Sequence, residues 1–372
     1  MSRRANSEGS VYRRTDGRWA AAISLGHGRR KSVYGPTREA VSAKLVTLLK
    51  AYQDGQPIPG ERQTVGQFLG SWLENSVRPS VRASTFRGYQ AKIRIHVIPE
   101  LGRIPLVKLA PQNLEAFFNR KVKEGLAPRT VQHIRAIIRA ALNDALKWGL
   151  VARNAARLVD GPRVSRFEIH PLSVEEARAF LGAVRGHRLE ALYSVALAVG
   201  LRQGEALGLR WEDIDLKAGT LSVRAVLQRS KGAFYFAEPK TSRSRRTVAL
   251  PTIAVDALHR HRVRQMEERL AAGPLWEDWG LVFTSTSGWP LQGSVVTRSF
   301  QETLARAGLR RQRFHDLRHA CATLLLVQGV HPRVVMETLG HAHISTTMDT
   351  YSHVPMGLQR EAAMRMDHAL SE

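Results

Sequence analysis

The residues best suited to chemistry are concentrated between residues 311 and 353. His315 and Arg318 are three residues apart, so on a helix they lie on one face and can contact the same anion. His319 joins them at the i+4 position. The plainer alternative is that Asp316 caps a helix while Arg318 and His319 are solvated. The first interpretation makes this segment a catalytic site for phosphate.

Two short helices are predicted to hold these side chains. The apolar run from Ala320 to Val327 predicts a helix that stops at Gly329, and Val330 to Leu339 predicts a second one. His341 follows the second helix, and Tyr351 comes ten residues later. The segment therefore supplies a hydroxyl as well as bases and cations.

A second group of charged residues lies more than a hundred positions upstream. Arg202 and Glu205 are three apart at a predicted helix start, so the carboxylate can hold the guanidinium as a preorganised fork for phosphate. A basic hairpin is predicted over 238–248, with Lys240 at its turn. Taken alone, Lys240 is a surface charge. Arg243 and Arg245, in the same run, are candidate DNA contacts.

The composition is that of a globular protein with a polyanionic partner. Of the 372 residues, 43% are hydrophobic and 24% charged, and the formal net charge is +24. A polyphosphate such as DNA is therefore expected, with a membrane surface as the rival polyanion. No apolar run approaches the roughly 20 residues of a spanning helix and no signal peptide follows Met1, so we expect a soluble, cytoplasmic protein. The single Cys321 excludes an intrachain disulfide or a Cys-based zinc site and is expected to be a small core residue.

Changes in periodicity predict three domains, two linkers and a tail. The bounds are a sheet domain at 1–53, a linker at 54–63, a helical domain at 64–152, a linker at 153–168, a mixed domain at 169–354 and a tail helix at 355–372.

The first domain is predicted to contain three short strands and a helix capped by Thr37. One sheet face would pack on the helix, and the other carries arginine and tyrosine. Because a three-stranded ribbon can enter a major groove, Arg13, Arg18 and Arg29 are candidate DNA contacts. The alternative is a structural cap or a dimerisation module.

The second domain is predicted to be all-helical, and the third to be mixed. Thr64 is expected to start the first helix of the second domain. The helix from Ala83 to His96 mixes charge with hydroxyls, a composition suited to phosphate and groove contacts. The candidate DNA contacts on and beside it are Arg82, Thr85, Arg87 and Lys92. The alternative is the solvated face of a bundle. In the third domain, Ser173 is predicted to open a helix through a capping box.

Taken together, these segments resemble the tyrosine recombinase family, in particular the phage-type integrases with an added arm-binding domain. The resemblance rests on five motifs in order: GLRQGEALGL at 200–209, PKTSRSRRTV at 239–248, HDLRH at 315–319, LGH at 339–341 and TTMDTYSH at 346–353. It covers nearly the whole chain. Residues 65–106 look like the family's core-binding domain, and residues 8–53 match its arm-type module with weaker motifs.

The resemblance implies roles for seven positions. Tyr351 would be the nucleophile, Arg202 and Arg318 would clamp the scissile phosphate, and Lys240 would protonate the leaving oxygen. His315 would assist proton transfer and His341 would bind a phosphate oxygen. Glu205 would steady Arg202.

The resemblance also implies a fold and partners. The fold class is multidomain, with a small three-stranded β-sheet plus helix as arm-binding domain, an all-α core-binding domain, and a mixed, mainly-α catalytic domain with a small β-sheet. The partners would be double-stranded DNA with core-type and arm-type attachment sites, a homotetramer on DNA, a DNA-bending host factor and a directionality factor. The tail helix would pack on its own domain or on a neighbouring subunit. Strand exchange would need no metal and no nucleotide cofactor.

Other interpretations stay open. A catalytically inactive relative would bind DNA as an architectural or regulatory protein. A type I topoisomerase would use the same tyrosine chemistry alone. Four histidines could instead hold a metal ion: His315, His319, His341 and His343.

Overall fold

The computed structural model describes residues 9–24, 30–53, 63–165, 170–230, 232–239, 244–341, 363–364 and 366–371. The chain divides into two units, 1–166 and 167–372. The first unit holds a small sheet with its helix and an all-helical part, and the second is mainly helical with small sheets. The predicted multidomain fold class is confirmed.

The first unit begins with a three-stranded antiparallel sheet and one helix. The elements are β1 (Ser10–Arg13), β2 (Trp19–Ser24), β3 (Arg30–Gly35) and α1 (Arg38–Gln53), with strand order β1-β2-β3. Alternate residues face α1, where Ile23 and Val33 pack with Leu45. The predicted cap is present, because Thr37 Oγ1 accepts a hydrogen bond from the backbone N–H of Ala40 at 3.2 Å.

The opposite face of this sheet carries aromatic and basic side chains. Tyr12, Ala20 and Tyr34 are paired across the three strands, and the two tyrosines are 40% and 48% exposed. The Arg30 guanidinium lies 5.9 Å from the Tyr12 ring centroid and that of Arg14 lies 5.2 Å from Tyr34. These distances allow cation–π contacts, which hold the arginines over the exposed face.

The rest of the first unit is helical. The helices are α2 (Val65–Trp72), α3 (Arg78–Ser80), α4 (Ala83–Lys92), α5 (Ile98–Leu101), α6 (Pro111–Lys123) and α7 (Pro128–Lys147). Thr64 and Gln67 form a capping box at the start of α2, with bonds of 3.3 and 3.0 Å. Buried Phe117 and Ile134 lie in the core shared by these helices.

Two five-residue π-helical segments, Leu73–Val77 and Ile93–Val97, lead the helical chain into prolines. In each case the next backbone N–H donates to the carbonyl five residues back, and Pro79 or Pro99 follows. A proline lacks an N–H and its ring clashes with the carbonyl four residues back in a regular helix. The wider turn relieves that conflict. The helix predicted to end at His96 therefore continues to α5.

The second unit is built around a helical core. Its helices are α8 (Val174–Val184), α9 (Glu190–Val199), α10 (Gln203–Leu207), α11 (Thr252–Ala272), α12 (Gly293–Arg306), α13 (Asp316–Val327) and α14 (Pro332–Leu339). The rings of Phe180, Tyr193 and Phe300 meet in the core with centroids 5.4 to 5.8 Å apart. Ser173 caps α8 as predicted, since its Oγ accepts from the Glu176 N–H at 3.1 Å.

The strands of the second unit correct one prediction. They are β4 (Ile214–Asp215), β5 (Thr220–Val223), β6 (Val226–Ser230), β7 (Ala233–Ala237) and β8 (Arg246–Ala249), in sheets β4-β5-β8 and β6-β7. Among the described residues, β8 of the predicted 238–248 hairpin pairs with β5, and a hairpin is formed by β6 and β7; residues 240–243, with the predicted turn, lie outside the described residues. β7 ends at Ala237, before the predicted range, and its Phe234 and Phe236 pack against the core.

The end of the chain is described only in part. Residues 363–364 and 366–370 are helical, and Met364, Met366 and Leu370 are 60 to 78% exposed. The remainder of the predicted tail helix lies outside the described residues. Among the described helices, none is long and apolar enough to cross a bilayer.

Candidate active site

Arg202 and Glu205 form the first half of the site. Helix α9 ends at Gly200, whose φ of 65° is left-handed, and the chain turns there into α10. Glu205 accepts the Arg202 backbone N–H at 3.1 Å and its guanidinium Nη1 at 2.6 Å. The Glu205 side chain is 2% exposed and that of Arg202 is 38% exposed. The predicted contact is confirmed: a buried carboxylate fixes a guanidinium that still reaches solvent.

Arg318 forms the second half. It lies on α13 and is 2% exposed. Its Nη1 donates to the Gly200 carbonyl at 2.7 Å, and its Nη2 donates to the Leu339 carbonyl at 2.6 Å. The alternative in which Arg318 is solvated is therefore wrong. The contact with Gly200 joins segments 118 residues apart and brings α13 to the turn that carries Arg202.

Arg318 keeps its positive charge although it is buried. Burial lowers the pKa of Arg318 to about 9, the positive charge of Arg202 acts in the same direction, and Glu205 opposes both. At neutral pH the guanidinium is still protonated. Two positive forks therefore stand beside one buried carboxylate, an arrangement that favours a bound anion.

Two predicted histidines are neutral at neutral pH. Part of His315 is exposed, yet the desolvation of its ring lowers the pKa to about 4, and the charge of Arg318 contributes. Desolvation and the charges of Arg318 and Arg202 lower the pKa of His341 to about 3. The rings of His315 and His319 meet edge to face, with centroids 5.1 Å apart. A neutral imidazole has one donor and one acceptor nitrogen, so either can take up or share a proton.

Asp316 and Cys321 have supporting positions. Asp316 accepts the Arg313 backbone N–H and its guanidinium Nη2, both at 2.7 Å, at the start of α13. Cys321 is 2% exposed, which confirms a small core residue, and burial raises the pKa of its thiol to about 12. Neither supplies a reactive group.

Sequence reasoning missed Arg246. Its side chain is 6% exposed and its Nη2 lies 3.2 Å from Glu205 Oε2, so Glu205 holds two guanidinium groups. A signal was present: Arg245 and Arg246 are adjacent, and neighbouring strand residues point to opposite faces. Arg245 is indeed 59% exposed.

The other predicted residues lie either outside the described part of the chain or at its surface. Tyr351, Lys240, Arg243 and Arg29 lie outside the described residues, as does His343 of the metal alternative. The other candidate DNA contacts lie at the surface, Lys92 being half-buried and the rest exposed: Arg13, Arg18, Arg82, Thr85, Arg87 and Arg245. Their contacts with DNA stay predictions.

Models of known protein families match both units of the chain. A model of the phage integrase family matches residues 171–357, a range that includes every predicted catalytic position. The chain belongs to the phage integrase family. A second model, the N-terminal SAM-like domain of phage integrases, matches residues 64–122 in the helical part of the first unit. The protein is accordingly an enzyme that breaks and rejoins DNA strands in site-specific recombination.

Similar proteins extend over almost the whole integrase chain. An integrase of Saccharopolyspora erythraea is 30% identical, covering 98% of this chain and 97% of the relative. A XerC-like tyrosine recombinase of Caldanaerobacter subterraneus subsp. tengcongensis is 32% identical, covering 87% of this chain and 88% of the relative.

Solved structures share the integrase fold. The Tn1549 transposon integrase, in complex with a circular intermediate DNA, has a TM-score of 0.69 at 22% identity and covers 82% of this chain and 99% of its own. The lambda integrase tetramer bound to a Holliday junction has a TM-score of 0.59 at 19% identity and covers 95% of this chain and 98% of its own. At these identities the likeness concerns the fold.

Proposed function

We propose that this integrase integrates or excises a phage or mobile element by cutting DNA through a covalent 3′-phosphotyrosyl intermediate formed on Tyr351. The observation that carries the proposal is the meeting of Arg202 and Arg318. These arginines are 116 positions apart in the sequence and are joined through the turn at Gly200.

The two arginines would bind the scissile phosphate. A phosphodiester repels nucleophiles through its negative charge, and attack puts more charge on the nonbridging oxygens. Guanidinium forks stabilise that charge better than point charges because they present paired donors in a plane. Glu205 would keep Arg202 in position through its 2.6 Å contact, and the two carbonyl bonds would do the same for Arg318. These contacts hold both guanidinium groups before the substrate binds.

The remaining roles concern the proton and the reacting bond. The Tyr351 oxygen would attack the phosphorus, forming the phosphotyrosyl bond while the bond to the 5′ oxygen breaks. Lys240 would protonate that leaving oxygen, a form of general acid catalysis typically worth ~10²–10⁴-fold. A phenol has a pKa of about 10, so Tyr351 needs a proton acceptor. His315 would take that role: it is neutral at neutral pH, and the negative charge of a bound phosphate would raise its lowered pKa. His341 would donate a hydrogen bond to a phosphate oxygen.

Rejoining would run the same step in reverse. The 5′ hydroxyl of another DNA end would attack the phosphotyrosyl ester, releasing Tyr351 and restoring a phosphodiester. Because the ester keeps the free energy of the broken bond, the exchange needs no nucleotide cofactor.

The DNA partners would be read by separate parts of the chain. In the division proposed, residues 1–53 bind arm-type sites, 64–152 bind core-type sites and 169–354 catalyse, with linkers at 54–63 and 153–168. The exposed Tyr12 and Tyr34 face with its arginines and the net charge of +24 support this assignment. Two DNA-reading regions joined by a linker would give bivalent binding.

The working assembly would be a homotetramer on DNA. Recombination exchanges strands between two duplexes, and the apolar side chains exposed near the C-terminus would pack on a neighbouring subunit. A DNA-bending host factor and a directionality factor would act with it. The setting proposed is the cytoplasm of a bacterial host, because the similar integrases come from bacteria.

The test is covalent capture of DNA. The protein is incubated with genomic DNA that contains the neighbouring attachment site, and then with a nicked core-site oligonucleotide that traps the intermediate. We expect a detergent-resistant adduct whose DNA is attached to Tyr351, and none with Tyr351→Phe, which should still bind the site. DNA binding without an adduct from the wild-type protein would favour the inactive, binding-only alternative.

A further inference from the structure

Arg246 contacts three separate segments of the second unit. Its Nη2 donates to Glu205 Oε2 at 3.2 Å, its Nε to the Thr338 carbonyl at 2.6 Å and its Nη1 to the Ser244 carbonyl at 3.1 Å. The side chain is 6% exposed. One guanidinium thus binds a carboxylate and two backbone carbonyls.

Each of these segments carries a residue proposed to act on DNA. Glu205 holds Arg202. Ser244 lies four positions after Lys240, and Thr338 lies three positions before His341. A change at Arg246 would therefore act on all three segments at once.

Arg246 and Arg318 bind consecutive carbonyls at the end of α14, those of Thr338 and Leu339. The last carbonyls of a helix are without helical partners and carry partial negative charge, so cations there are favourable. The chain leaves this end through Gly340, which is left-handed with φ 66°. The two arginines fix the direction in which the chain continues to His341.

We propose that Arg246 is a positioning residue for DNA cleavage, which joins the Glu205–Arg202 pair to the end of α14 and so sets the position of His341. The inference rests on the proposed function of the site. It adds a residue that touches no reacting atom and acts through the groups that do.

A guanidinium is suited to this role and an ammonium is not. Arg246 uses three nitrogens in a fixed plane for three acceptors in different directions. A lysine has one nitrogen on a flexible stem, so it keeps the charge and loses the fixed geometry. Arg246→Lys therefore tests geometry, and Arg246→Met tests geometry and charge together.

The charge of Arg246 also affects Glu205. Burial raises the pKa of Glu205, but the charges of Arg246 and Arg202 outweigh it, so the carboxyl has a pKa below its ordinary value. The charged groups facing Glu205 are Arg202 on its own turn, Arg246 on β8 and Arg318 on α13. Removing Arg246 raises the pKa of Glu205, so the carboxyl becomes protonated as the pH falls and releases Arg202.

The experiment measures single-turnover cleavage of the nicked core site at saturating protein, over pH 5.5 to 8, with DNA affinity and thermal unfolding measured in parallel. We expect Arg246→Lys to bind DNA within about twofold of wild type and to cleave at least ~10-fold more slowly at every pH, since small misplacement of reacting groups is costly. Arg246→Met should lose more activity, and its deficit should grow as the pH falls.

Arg188 provides a matched control elsewhere in the second unit. It also holds a carboxylate and a carbonyl, with Nη2 2.6 Å from Glu268 Oε2 and Nη1 2.7 Å from the Thr284 oxygen. Arg188→Lys should lower stability in a similar way and leave the cleavage rate and its pH profile unchanged. A second check is the cycle of Arg246→Met with Glu205→Gln, in which the double variant should be no slower than the worse single variant.

The outcomes separate this inference from the proposed function. If wild-type protein forms no covalent adduct, the proposed function fails. If wild type forms the adduct and folded Arg246→Lys cleaves within twofold of it, the positioning role is wrong. It is equally wrong if Arg246→Lys is unfolded where wild type and Arg188→Lys are folded, because Arg246 would then serve the fold alone.

Discussion

Substitution of Gly200 by alanine should change the position of the Arg318 guanidinium while leaving the guanidinium group itself in place. Gly200 has φ 65°, and an added Cβ would overlap the Leu339 side chain and lie 3.3 Å from Cys321 Sγ. The Gly200 and Leu339 carbonyls are the two acceptors of Arg318. The substitution therefore displaces both acceptors without removing a polar group.

Two contributions set the expected loss in the free energy of unfolding. A non-glycine residue in the left-handed region costs about 1–2 kcal/mol. Overpacking by a methyl group in a close-packed core costs about 1–3 kcal/mol more. The sum of about 2–5 kcal/mol corresponds to a fall in Tm of about 4–20 °C, at 2–4 °C per kcal/mol for a unit of this size.

Gly308 is the matched control. Its φ is 67°, and a Cβ there would meet nothing within 4 Å. Gly308→Ala should therefore lower the free energy of unfolding only by the backbone contribution of about 1–2 kcal/mol.

The assays are thermal unfolding by circular dichroism and single-turnover cleavage of a nicked core site below both Tm values. We expect Gly200→Ala to unfold at a lower temperature than Gly308→Ala and to cleave about 10–100-fold more slowly, while Gly308→Ala cleaves like wild type. Equal Tm values together with equal cleavage rates for the two variants would refute the reasoning.

Three further predictions concern other residues. Arg318→Lys should cleave DNA at least about 100-fold more slowly than wild type and bind it within about twofold of the wild-type affinity, because one ammonium cannot replace the planar guanidinium. A cleavage rate within threefold of wild type in the same single-turnover assay would contradict this prediction. In the folded protein the pKa of His341 is lowered to about 3, whereas in the unfolded chain the ring protonates near its ordinary pKa of 6.5. The stability that the neutral ring contributes above pH 6.5 is therefore lost as the pH falls toward 3. His341→Asn should therefore reduce the fall in Tm between pH 7.5 and 5, and an unchanged fall would argue against a half-buried neutral ring. Arg87→Gln should weaken binding to the core site and reduce the slope of log affinity against log salt concentration by about 1 in magnitude. The control Arg269→Gln removes an exposed partner of Asp278 and should leave that slope unchanged.

Local signals in the sequence predicted local structure well. The caps at Thr37, Thr64 and Ser173 were predictable because each depends on a hydroxyl and a backbone N–H three residues away. The contact between Arg202 and Glu205 was predictable for the same reason. Such interactions need only the helical spacing.

Pairing over long distances was not predictable. The run 238–248 has the composition of a hairpin, but β8, the strand described within it, pairs with β5. Nothing local indicates that choice. The burial of Arg246 depends on the same pairing, since only the register of β8 turns it toward Glu205. The π-helical segments likewise arise from a conflict between a proline and a helix that neighbouring helices maintain.

In the proposed mechanism, two segments of the second unit, carrying Arg202 and Arg318, converge on one phosphate. The most direct measurement is the structure of the Tyr351→Phe variant bound to a core site with its scissile phosphate intact. We predict that the guanidinium groups of Arg202 and Arg318 both lie within about 3 Å of oxygens of the same phosphate, with the substituted ring at position 351 beside it. Guanidinium groups bound to different phosphates, or a ring at position 351 remote from both arginines, would contradict the mechanism.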